Sequence, residues 1–293
     1  MIKLSIVILS YNTNDLTLAC LKSAADQYKK ELEKKDFEII VVDNASSDGS
    51  VDAISCLQKE VPNLRLIQNR ENLGFAKGCN IGAKAAEGEY LLFLNSDTKV
   101  LDRGFLSMAD FLEKNKNVAI LGGKLVNNDG SIQRSCGKFY NLFNLVLVLL
   151  GMERIGFVRS SPNKIQKVDW VSGACMMIEK KLFNNLEGFD EYFFMYIEDM
   201  ELCFRVGKVG LLTYFYPDIK LFHESLGSSN RTFAIINIYK GILYFYAKHK
   251  SHLGYLIAKA LLITKAEILM LVGFLTLNSD LTNRYKKAIN FDL

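Results

Sequence analysis

The chain has 293 residues, of which 49% are hydrophobic and 23% are charged, and its formal net charge is +4 at pH 7. This composition excludes a disordered chain, and the length suits one large domain or one and a half. So mild a charge gives no electrostatic argument for a nucleic-acid partner.

The N-terminal part of the chain alternates strand and helix patterns. Strands are predicted at 3–9, 37–42, 64–67 and 90–94, and helices at 14–34, 49–60 and 74–87. This alternation predicts parallel β-α-β units in a Rossmann-like α/β sheet. No G-x-G-x-x-G follows the first strand, so the dinucleotide-dehydrogenase fingerprint is absent. The first apolar run is too short for a signal peptide, and a buried strand is the better interpretation.

Acidic residues follow two of these strands. Asp43 follows the apolar run 39–42, and Asp97 follows Leu94-Asn95-Ser96. A carboxylate at the C-terminal end of a strand in an open α/β sheet faces the crevice where ligands bind. With a third acidic site, Glu198-Asp199, the pattern predicts a nucleotide, a metal and a proton transfer at one place.

The second half of the chain is less regular. Strands are predicted at 118–123, 174–178, 211–216 and 219–223, and a short helix at 199–208. We expect a catalytic domain over 1–227 and a helical region over 228–293. The six cysteines form no C-x-x-C pair, which indicates neither a zinc site nor a disulfide framework and is typical of a cytoplasmic protein.

Two stretches are unusually apolar. Residues 139–152 are interrupted by Asn141 and Asn144, and residues 253–277 contain charged side chains. A spanning helix needs about 20 mostly apolar residues, a condition that neither stretch meets cleanly. Aromatic residues and lysines surround the second stretch, which suits a helix in the membrane interface. Packing helices or the helices of a homodimer remain the alternative.

The order and spacing of several short motifs carry more information than any one of them. The motifs are Ser5-Ile6-Val7-Ile8-Leu9-Ser10-Tyr11-Asn12, Val42-Asp43-Asn44-Ala45-Ser46-Ser47-Asp48-Gly49-Ser50, Asn72-Leu73-Gly74-Phe75-Ala76-Lys77-Gly78-Cys79-Asn80, Leu94-Asn95-Ser96-Asp97-Thr98, Gly188-Phe189-Asp190 and Phe194-Met195-Tyr196-Ile197-Glu198-Asp199. Together they resemble glycosyltransferase family 2, and more narrowly its rhamnosyltransferase-like branch, over about residues 3–227. The resemblance implies a GT-A fold: a mixed, Rossmann-like sheet flanked by helices, with a C-terminal helical appendage.

The resemblance also implies a donor site in the first half of the domain, about 1–100, and an acceptor half over about 101–227. It implies that Asp43 accepts the ring N–H of a uracil or thymine base, although this residue could also cap the following helix; Asp48 is the better cap. Gly74 and Asn80 are expected beside the nucleotide sugar, with a tight turn and helix packing as the alternative. The nucleotide-sugar residues implied are Ser10, Tyr11, Asn12, Asp43, Gly74, Asn80, Asn95, Ser96 and Asp97.

Asn95-Ser96-Asp97 occupies the family's D-x-D position, with Asn in place of the first Asp. Mg²⁺ and Mn²⁺ prefer oxygen ligands, and a substrate diphosphate supplies some of them, so one carboxylate is enough. The resemblance implies that Asp97 holds the metal. His223 lies in an element similar to the branch's His-x-x-Gly-x-Ser and is a candidate further ligand, although a lone histidine is more often structural. Ser228 and Ser229 are candidate diphosphate contacts.

Glu198-Asp199 precedes the predicted helix 199–208. The acceptor hydroxyl must lose a proton, and the resemblance implies that Asp199 takes it, with Glu198 as its catalytic and acceptor-binding neighbour. Helix capping is the structural alternative. Trp170, the single tryptophan, could line the acceptor site by stacking on a sugar, or simply pack in the core.

These expectations describe an inverting, metal-dependent glycosyltransferase of bacterial cell-surface polysaccharide synthesis. The donor would be a dTDP- or UDP-sugar, with L-rhamnose as the first sugar to test. The acceptor would be a lipid-linked saccharide met at the cytoplasmic face of the membrane. A sugar nucleotidyltransferase would need a Gly-rich basic loop at residues 10–15, which hold Ser-Tyr-Asn-Thr-Asn-Asp. A catalytically silent assembly partner is the remaining alternative, and loss of Asp97 or Asp199 would have favoured it.

Overall fold

The computed structural model describes residues 2–224 and 230–289, so Ser228 and Ser229 lie outside the described residues. The strands are β1 (Leu4–Ser10), β2 (Phe37–Asp43), β3 (Leu64–Gln68), β4 (Tyr90–Asn95), β5 (Thr98–Val100), β6 (Val118–Val126), β7 (Ile132–Gln133), β8 (Cys136–Gly137), β9 (Arg159–Ser160), β10 (Gln166–Val168), β11 (Trp170–Val171), β12 (Cys175–Glu179) and β13 (Leu212–His223). The α-helices are α1 (Asn14–Gln27), α2 (Lys29–Glu33), α3 (Ser50–Leu57), α4 (Gly74–Ala85), α5 (Gly104–Lys114), α6 (Leu142–Leu149), α7 (Lys180–Asn185), α8 (Glu198–Lys208), α9 (Arg231–His249), α10 (His252–Leu275) and α11 (Ser279–Ala288), and a 3₁₀ turn covers Met152–Ile155.

A mixed sheet runs through the molecule in the order β10-β13-β6-β12-β4-β1-β2-β3. Strands β4, β1, β2 and β3 are parallel, whereas β12 runs antiparallel to both β4 and β6. Helices cover both faces, so the central strands are buried on both sides and read as continuous apolar runs. The mixed α/β architecture confirms the predicted fold class.

The strand register brings the polar strand ends together. Ser10 pairs with Asp43 across β1 and β2, and Leu9 pairs with Asn95 across β1 and β4. All three strands therefore finish at one edge of the sheet, which we call the strand edge (residues 10–12, 43–46 and 95–97). This is the edge where open α/β sheets bind ligands.

Two predicted elements differ from the structure. The helix predicted at 14–34 breaks at Tyr28, because this ring is buried, stacks on Phe105 and accepts a hydrogen bond from the Phe105 amide at 2.9 Å. The strands predicted at 211–216 and 219–223 are one strand, β13, whose register shifts between Tyr216 and Lys220. Pro217 lies in that interval, where the absence of a backbone N–H is tolerated.

The C-terminal helices α9, α10 and α11 pack against one another and against the sheet-bearing part of the chain. Tyr239, Tyr246 and Leu262 belong to the same apolar core as Phe93 of β4. The Tyr246 hydroxyl donates to the Tyr140 carbonyl at 2.8 Å. Among the described helices, none combines the length and apolarity needed to cross a bilayer.

Candidate functional site

A cavity of about 400 Å³ opens at the strand edge. Tyr11, Asn95, Ser96 and Asp97 line it from the sheet, as the sequence predicted for a ligand-facing edge. Walls from elsewhere close it: Asn44, Asn72, Gly74 and Phe75 on one side, Phe194 and Met195 on another, and Asn230 and Phe233 from the start of α9. The volume lies within the range of small-molecule sites.

Asp97, which lines this cavity, is in contact with His223. Strand β13 pairs with β5, which sets His223 opposite Thr98 and brings its Nε2 to 3.3 Å from Asp97 Oδ1. Asn95 Nδ2 lies 3.4 Å from the same ring nitrogen. Asp97 is 4% exposed, and both its Oδ1 and the Asn95 Oδ1 are buried without a hydrogen-bond partner among the described residues.

These atoms suit a hard divalent cation. Buried oxygen atoms that lack partners are costly, and a cation beside the imidazole nitrogen would satisfy Asp97 Oδ1. The Asn95 carboxamide turns its nitrogen towards that ring, so its oxygen would join the same cation only after the carboxamide rotates. Within residues 2–224 and 230–289, no three His, Cys, Asp or Glu side chains are grouped closely enough to hold a metal. The chain thus offers one carboxylate, one amide oxygen and one imidazole, a set that needs ligands from a bound diphosphate.

Asp43 is fully buried, and its carboxylate accepts from the Ser46 amide at 2.9 Å and from the Ser46 hydroxyl at 2.6 Å. Asp48 stabilises the N-terminal ends of α1 and α3, because it accepts hydrogen bonds from the Asn14 and Ser50 amides at 2.9 and 3.1 Å. Asp43 also stabilises its own turn through its two hydrogen bonds from Ser46. Contact with a base stays a prediction that rests on the carboxylate's remaining lone pairs.

The other strand-end residues divide into two groups. Tyr11 is 41% exposed and faces the cavity, and Ser96 lines it. Asn12 has a left-handed φ of 51°, and its side chain accepts from the Ser47 amide at 2.8 Å, so it braces the 43–48 turn. Ser10 is fully buried and shares a hydrogen bond of 3.1 Å with Thr17. The predicted contact of Ser10 with the donor stays a prediction.

Gly74 and Asn80 both contact the 188–194 segment. Gly74 has φ +79°, and a Cβ there would lie 2.4 Å from the Phe194 carbonyl oxygen, so the glycine is required by that close approach. Gly74 still lines the cavity. The Asn80 amide donates to the Phe189 carbonyl at 2.8 Å and accepts from the Phe189 amide at 2.9 Å. Asn80 thus holds this segment in place, and its predicted position beside the nucleotide sugar stays a prediction.

The carboxylate pair sits on a strained turn, which we call the carboxylate elbow (residues 196–199). Tyr196 and Ile197 both have left-handed backbone, with φ of 72° and 74°. A β-branched residue in this region is an outlier that its surroundings must impose. Gly241 of α9 provides the room, because a Cβ there would lie 2.9 Å from Ile197 Cγ1. The elbow then begins α8 at Glu198.

The elbow fixes two different carboxylates. Asp199 is half-buried and accepts from the Gly173 amide at 3.0 Å and from the Met200 amide at 2.7 Å. Glu198 is buried, and its Oε2 has no partner among the described residues. Burial raises the pKa of both side chains, and the neighbouring Asp199 charge raises the pKa of Glu198 further. A carboxylate with a raised pKa at a helix start is suited to accepting a proton.

Trp170 does not reach this cavity. Its side chain is 3% exposed, its indole N–H donates to the Lys138 carbonyl at 3.0 Å, and the Arg159 guanidinium lies 5.1 Å from the ring centroid. This enclosure favours core packing, the alternative that the sequence left open. The acceptor contact of Trp170 stays a prediction.

Three residues near the site were not among the predicted ones: Asn230, Phe233 and Gln133. Asn230 and Phe233 of α9 line the cavity although they lie beyond the predicted catalytic domain. Gln133 is hydrogen-bonded to His223, at 2.8 Å. The signal that could have found Gln133 is the turn sequence Asn127-Asn128-Asp129-Gly130-Ser131, which forces the chain to double back beside the strand that reaches the site.

Comparison with known proteins defines the class. The family model described as "Glycosyl transferase family 2" matches residues 5–186, and the chain belongs to this family. The N-acetylglucosaminyl-diphospho-decaprenol L-rhamnosyltransferase of Mycobacterium tuberculosis (strain CDC 1551 / Oshkosh) is 25% identical over 218 residues, 68% of this chain and 70% of that protein. The dTDP-rhamnosyl transferase RfbF of Shigella flexneri is 26% identical over 211 residues, 71% of this chain and 66% of that protein.

The fold has a solved counterpart. A mannosyltransferase from Pyrobaculum calidifontis, in complex with GDP-Man and Mn²⁺, superposes with a TM-score of 0.60 at 17% identity, covering 98% of this chain and 85% of that one. At this identity the likeness shows the fold alone, which is the GT-A fold.

Proposed function

We propose that this chain is an inverting glycosyltransferase that moves a sugar from a nucleoside diphosphate sugar to a saccharide hydroxyl with the help of Mg²⁺ or Mn²⁺. One observation carries the proposal: the cavity at the strand edge is lined by Asn95 and Asp97, with His223 beside Asp97, and also by Phe194 and Met195 of the segment that leads into the carboxylate elbow. Glu198 and Asp199 do not line the cavity themselves and follow Met195 by three and four residues. Family membership supports the same reaction class.

Different residues of the chain would bind the cation and the nucleotide base. Asp97, Asn95 and His223 would hold the cation, which when bound neutralises charge on the departing nucleoside diphosphate. Tyr11 lines the cavity near the strand end, where a base ring can be accommodated. Asp43 is the proposed acceptor for the ring N–H of that base.

Asp199 is the proposed general base. Each of its oxygens accepts one backbone N–H, which fixes the carboxylate and leaves lone pairs for the acceptor hydroxyl. The hydroxyl oxygen forms the new bond to C1 of the sugar, its proton passes to Asp199, and the C1–O bond to the diphosphate breaks. Glu198 is proposed to hold the acceptor beside it.

L-rhamnose is the proposed sugar and dTDP or UDP the proposed carrier. The names of the Mycobacterium and Shigella relatives support rhamnose, and the Shigella name supports dTDP. The acceptor is proposed to be a lipid-linked saccharide of bacterial cell-surface polysaccharide synthesis, since the Mycobacterium relative is named for a decaprenol-linked one.

The exposed face of α10 supports a place for this acceptor. Apolar side chains recur on that face at helical spacing while Gly254, Ala258 and Leu262 face the protein. The exposed set is Leu253, Leu256, Ile257, Ile268, Leu271 and Phe274. Helix α6, which contacts α10, exposes Phe143, the residue after this helix, Leu150, is also exposed, and α11 exposes Lys286 and Lys287. We propose that this surface lies on the cytoplasmic face of a bilayer that carries the acceptor.

The membrane proposal is tested by sedimentation with vesicles that contain anionic phospholipid. The wild type should co-sediment, and Ile268→Glu with Leu271→Glu should stay in the supernatant while donor turnover is kept. Val209→Glu is the matched control, because Val209 is an exposed apolar residue on another surface. A stable dimer in ultracentrifugation without vesicle binding would assign the face to a second copy and contradict the proposal.

The reaction is tested by donor hydrolysis without acceptor, across dTDP-, UDP- and GDP-sugars with Mg²⁺ or Mn²⁺. Metal-dependent release of one nucleoside diphosphate supports a transferase and names the donor. Formation of a nucleotide sugar from a nucleoside triphosphate and a sugar phosphate would instead support a nucleotidyltransferase. Absence of both turnover and nucleotide binding in calorimetry would favour a catalytically silent assembly partner.

A further inference from the structure

Gln133 has no part in the proposed reaction. It contacts His223 at Nδ1, whereas Asp97 contacts the other ring nitrogen, Nε2. Strand β7 pairs with β6 through Leu125 and Gln133, which places Gln133 after the 127–131 turn. Its side chain makes three hydrogen bonds: to Asn127 Oδ1 at 2.6 Å, to the His223 carbonyl at 2.6 Å and with His223 Nδ1 at 2.8 Å. The carboxamide is therefore held at both ends.

The directions of these bonds follow from which atoms can donate. The backbone carbonyl of His223 only accepts, so the Gln133 atom beside it must be the amide nitrogen. The other end of the carboxamide, Oε1, then faces His223 Nδ1 and can only accept. The imidazole must carry its proton on Nδ1, and in a neutral ring Nε2 is left with a lone pair.

Hydrogen bonds within the 127–131 turn support the same orientation of the Gln133 carboxamide. The Asp129 carboxylate accepts from the Ser131 hydroxyl at 2.6 Å, so the Ser131 oxygen is free to accept from Asn127 Nδ2 at 2.8 Å. The Asn127 oxygen then faces the Gln133 amide nitrogen. The pKa of Asp129 is lowered by these hydrogen bonds from Ser131, which favours its accepting, ionised form.

The Nε2 lone pair then faces two groups: the Asn95 amide nitrogen at 3.4 Å, which can donate to it in a long hydrogen bond, and Asp97 Oδ1 at 3.3 Å. Asp97 Oδ1 has no hydrogen-bond partner among the described residues, and it cannot donate to Nε2. A cation bound by both atoms would give Asp97 Oδ1 the partner that it lacks. Ligating imidazoles are commonly fixed in this way by an acceptor on the second ring nitrogen.

We propose that Gln133 is a positioning residue that holds His223 in the Nδ1–H tautomer, so that Nε2 is presented with Asp97 to a divalent cation. The tautomer part stands on hydrogen-bond geometry alone, whereas the cation part rests on the proposed function.

The first measurement is a long-range ¹⁵N–¹H NMR correlation of the imidazole rings at mildly alkaline pH without metal. The chain has three histidines, so His223→Gln assigns the signal. The wild type should show His223 as Nδ1–H. Gln133→Leu should shift the ring towards Nε2–H, and Gln133→Glu, which keeps an acceptor facing Nδ1, should retain the wild-type tautomer. A wild-type ring in the Nε2–H or doubly protonated form would overturn the proposal, as would a Gln133→Leu ring with the wild-type tautomer.

The second measurement is Mn²⁺ affinity by electron paramagnetic resonance in the presence of dTDP. Gln133→Leu should weaken binding by about 10–100-fold, the usual effect of removing such a partner. Asn128→Ala, at an exposed position of the same turn, is the matched control and should bind as the wild type does. A changed tautomer with unchanged Mn²⁺ affinity would overturn the cation part. A wild type that has the Nδ1–H tautomer but binds no Mn²⁺ would contradict the proposed function and support the tautomer part.

Discussion

The strand edge and the carboxylate elbow are built in different ways. At the strand edge, Asn95 and Asp97 stand where the parallel strands finish, so strand register alone brings them to the cavity. At the elbow, Glu198 and Asp199 follow two residues with left-handed backbone, and α9 packs against that strained turn. Local sequence thus defines the first region, whereas tertiary contacts hold the second. Substitutions that act on only the strand edge or only the elbow should therefore have different functional effects.

The largest expected effect follows Asp199→Asn. The asparagine side chain keeps the shape of the carboxylate and part of its hydrogen bonding to the two backbone amides. It cannot accept the proton of the acceptor hydroxyl. We expect kcat to fall by about 10²–10⁴-fold, the usual contribution of a general base, with donor affinity unchanged. Steady-state rates together with donor calorimetry check this. Wild-type turnover by Asp199→Asn would remove the elbow from the chemistry.

Glu201→Gln should weaken the attachment of α8, the helix that begins in the carboxylate elbow, to α9. Glu201 is fully buried and accepts from Arg205, Lys248 and His249 at 2.8, 2.9 and 2.9 Å, which ties α8 to the end of α9. The substitution weakens charge-assisted hydrogen bonds, although Lys248 keeps Asp190 and Arg205 keeps the Leu186 and Gly188 carbonyls, so we expect about 1.5–3 kcal/mol loss in the free energy of unfolding. Urea denaturation measures this loss. Unchanged stability would mean that α9 is held to the elbow by apolar contacts alone.

Gly241→Ala tests the elbow from the opposite side. The new methyl group would press on Ile197, and overpacking of this kind costs about 1–3 kcal/mol. We expect kcat to fall while Mn²⁺ and nucleotide affinity at the strand edge are kept. Gly207→Ala is the matched control, because a Cβ at this helical glycine meets nothing within 4 Å. Equal kinetics for the two variants would contradict the clamp by α9.

The smallest effect is a pH dependence at Glu198. Its pKa is raised in the folded protein by burial and by the Asp199 charge, so ionisation costs folding free energy as the pH rises from the unfolded pKa to the folded one. Glu198→Gln should therefore stabilise the protein at neutral pH, and the gain should vanish in acid, where the carboxyl is protonated in both states. Thermal unfolding against pH measures this. A gain that persists in acid would point to packing instead.

The same difference explains what the sequence could predict. Asn95 and Asp97 follow an apolar strand directly, so their place at the edge follows from local pattern and parallel topology. The break at Tyr28 could not be predicted, and for Trp170 and Asn80 the sequence could not choose between ligand contact and packing, because each depends on partners distant in sequence: Phe105, Lys138 and Phe189. Tertiary contacts decided these three, whereas the local pattern decided the strand ends.

The central claim is that Asp97 couples a divalent cation to the nucleotide at the strand edge. Calorimetric titration of dTDP and UDP, with and without Mn²⁺, into wild type, Asp97→Asn and Asp199→Asn tests it most directly. We predict that Mn²⁺ tightens nucleotide binding in the wild type and in Asp199→Asn but not in Asp97→Asn. An equal gain from Mn²⁺ in Asp97→Asn would contradict the claim.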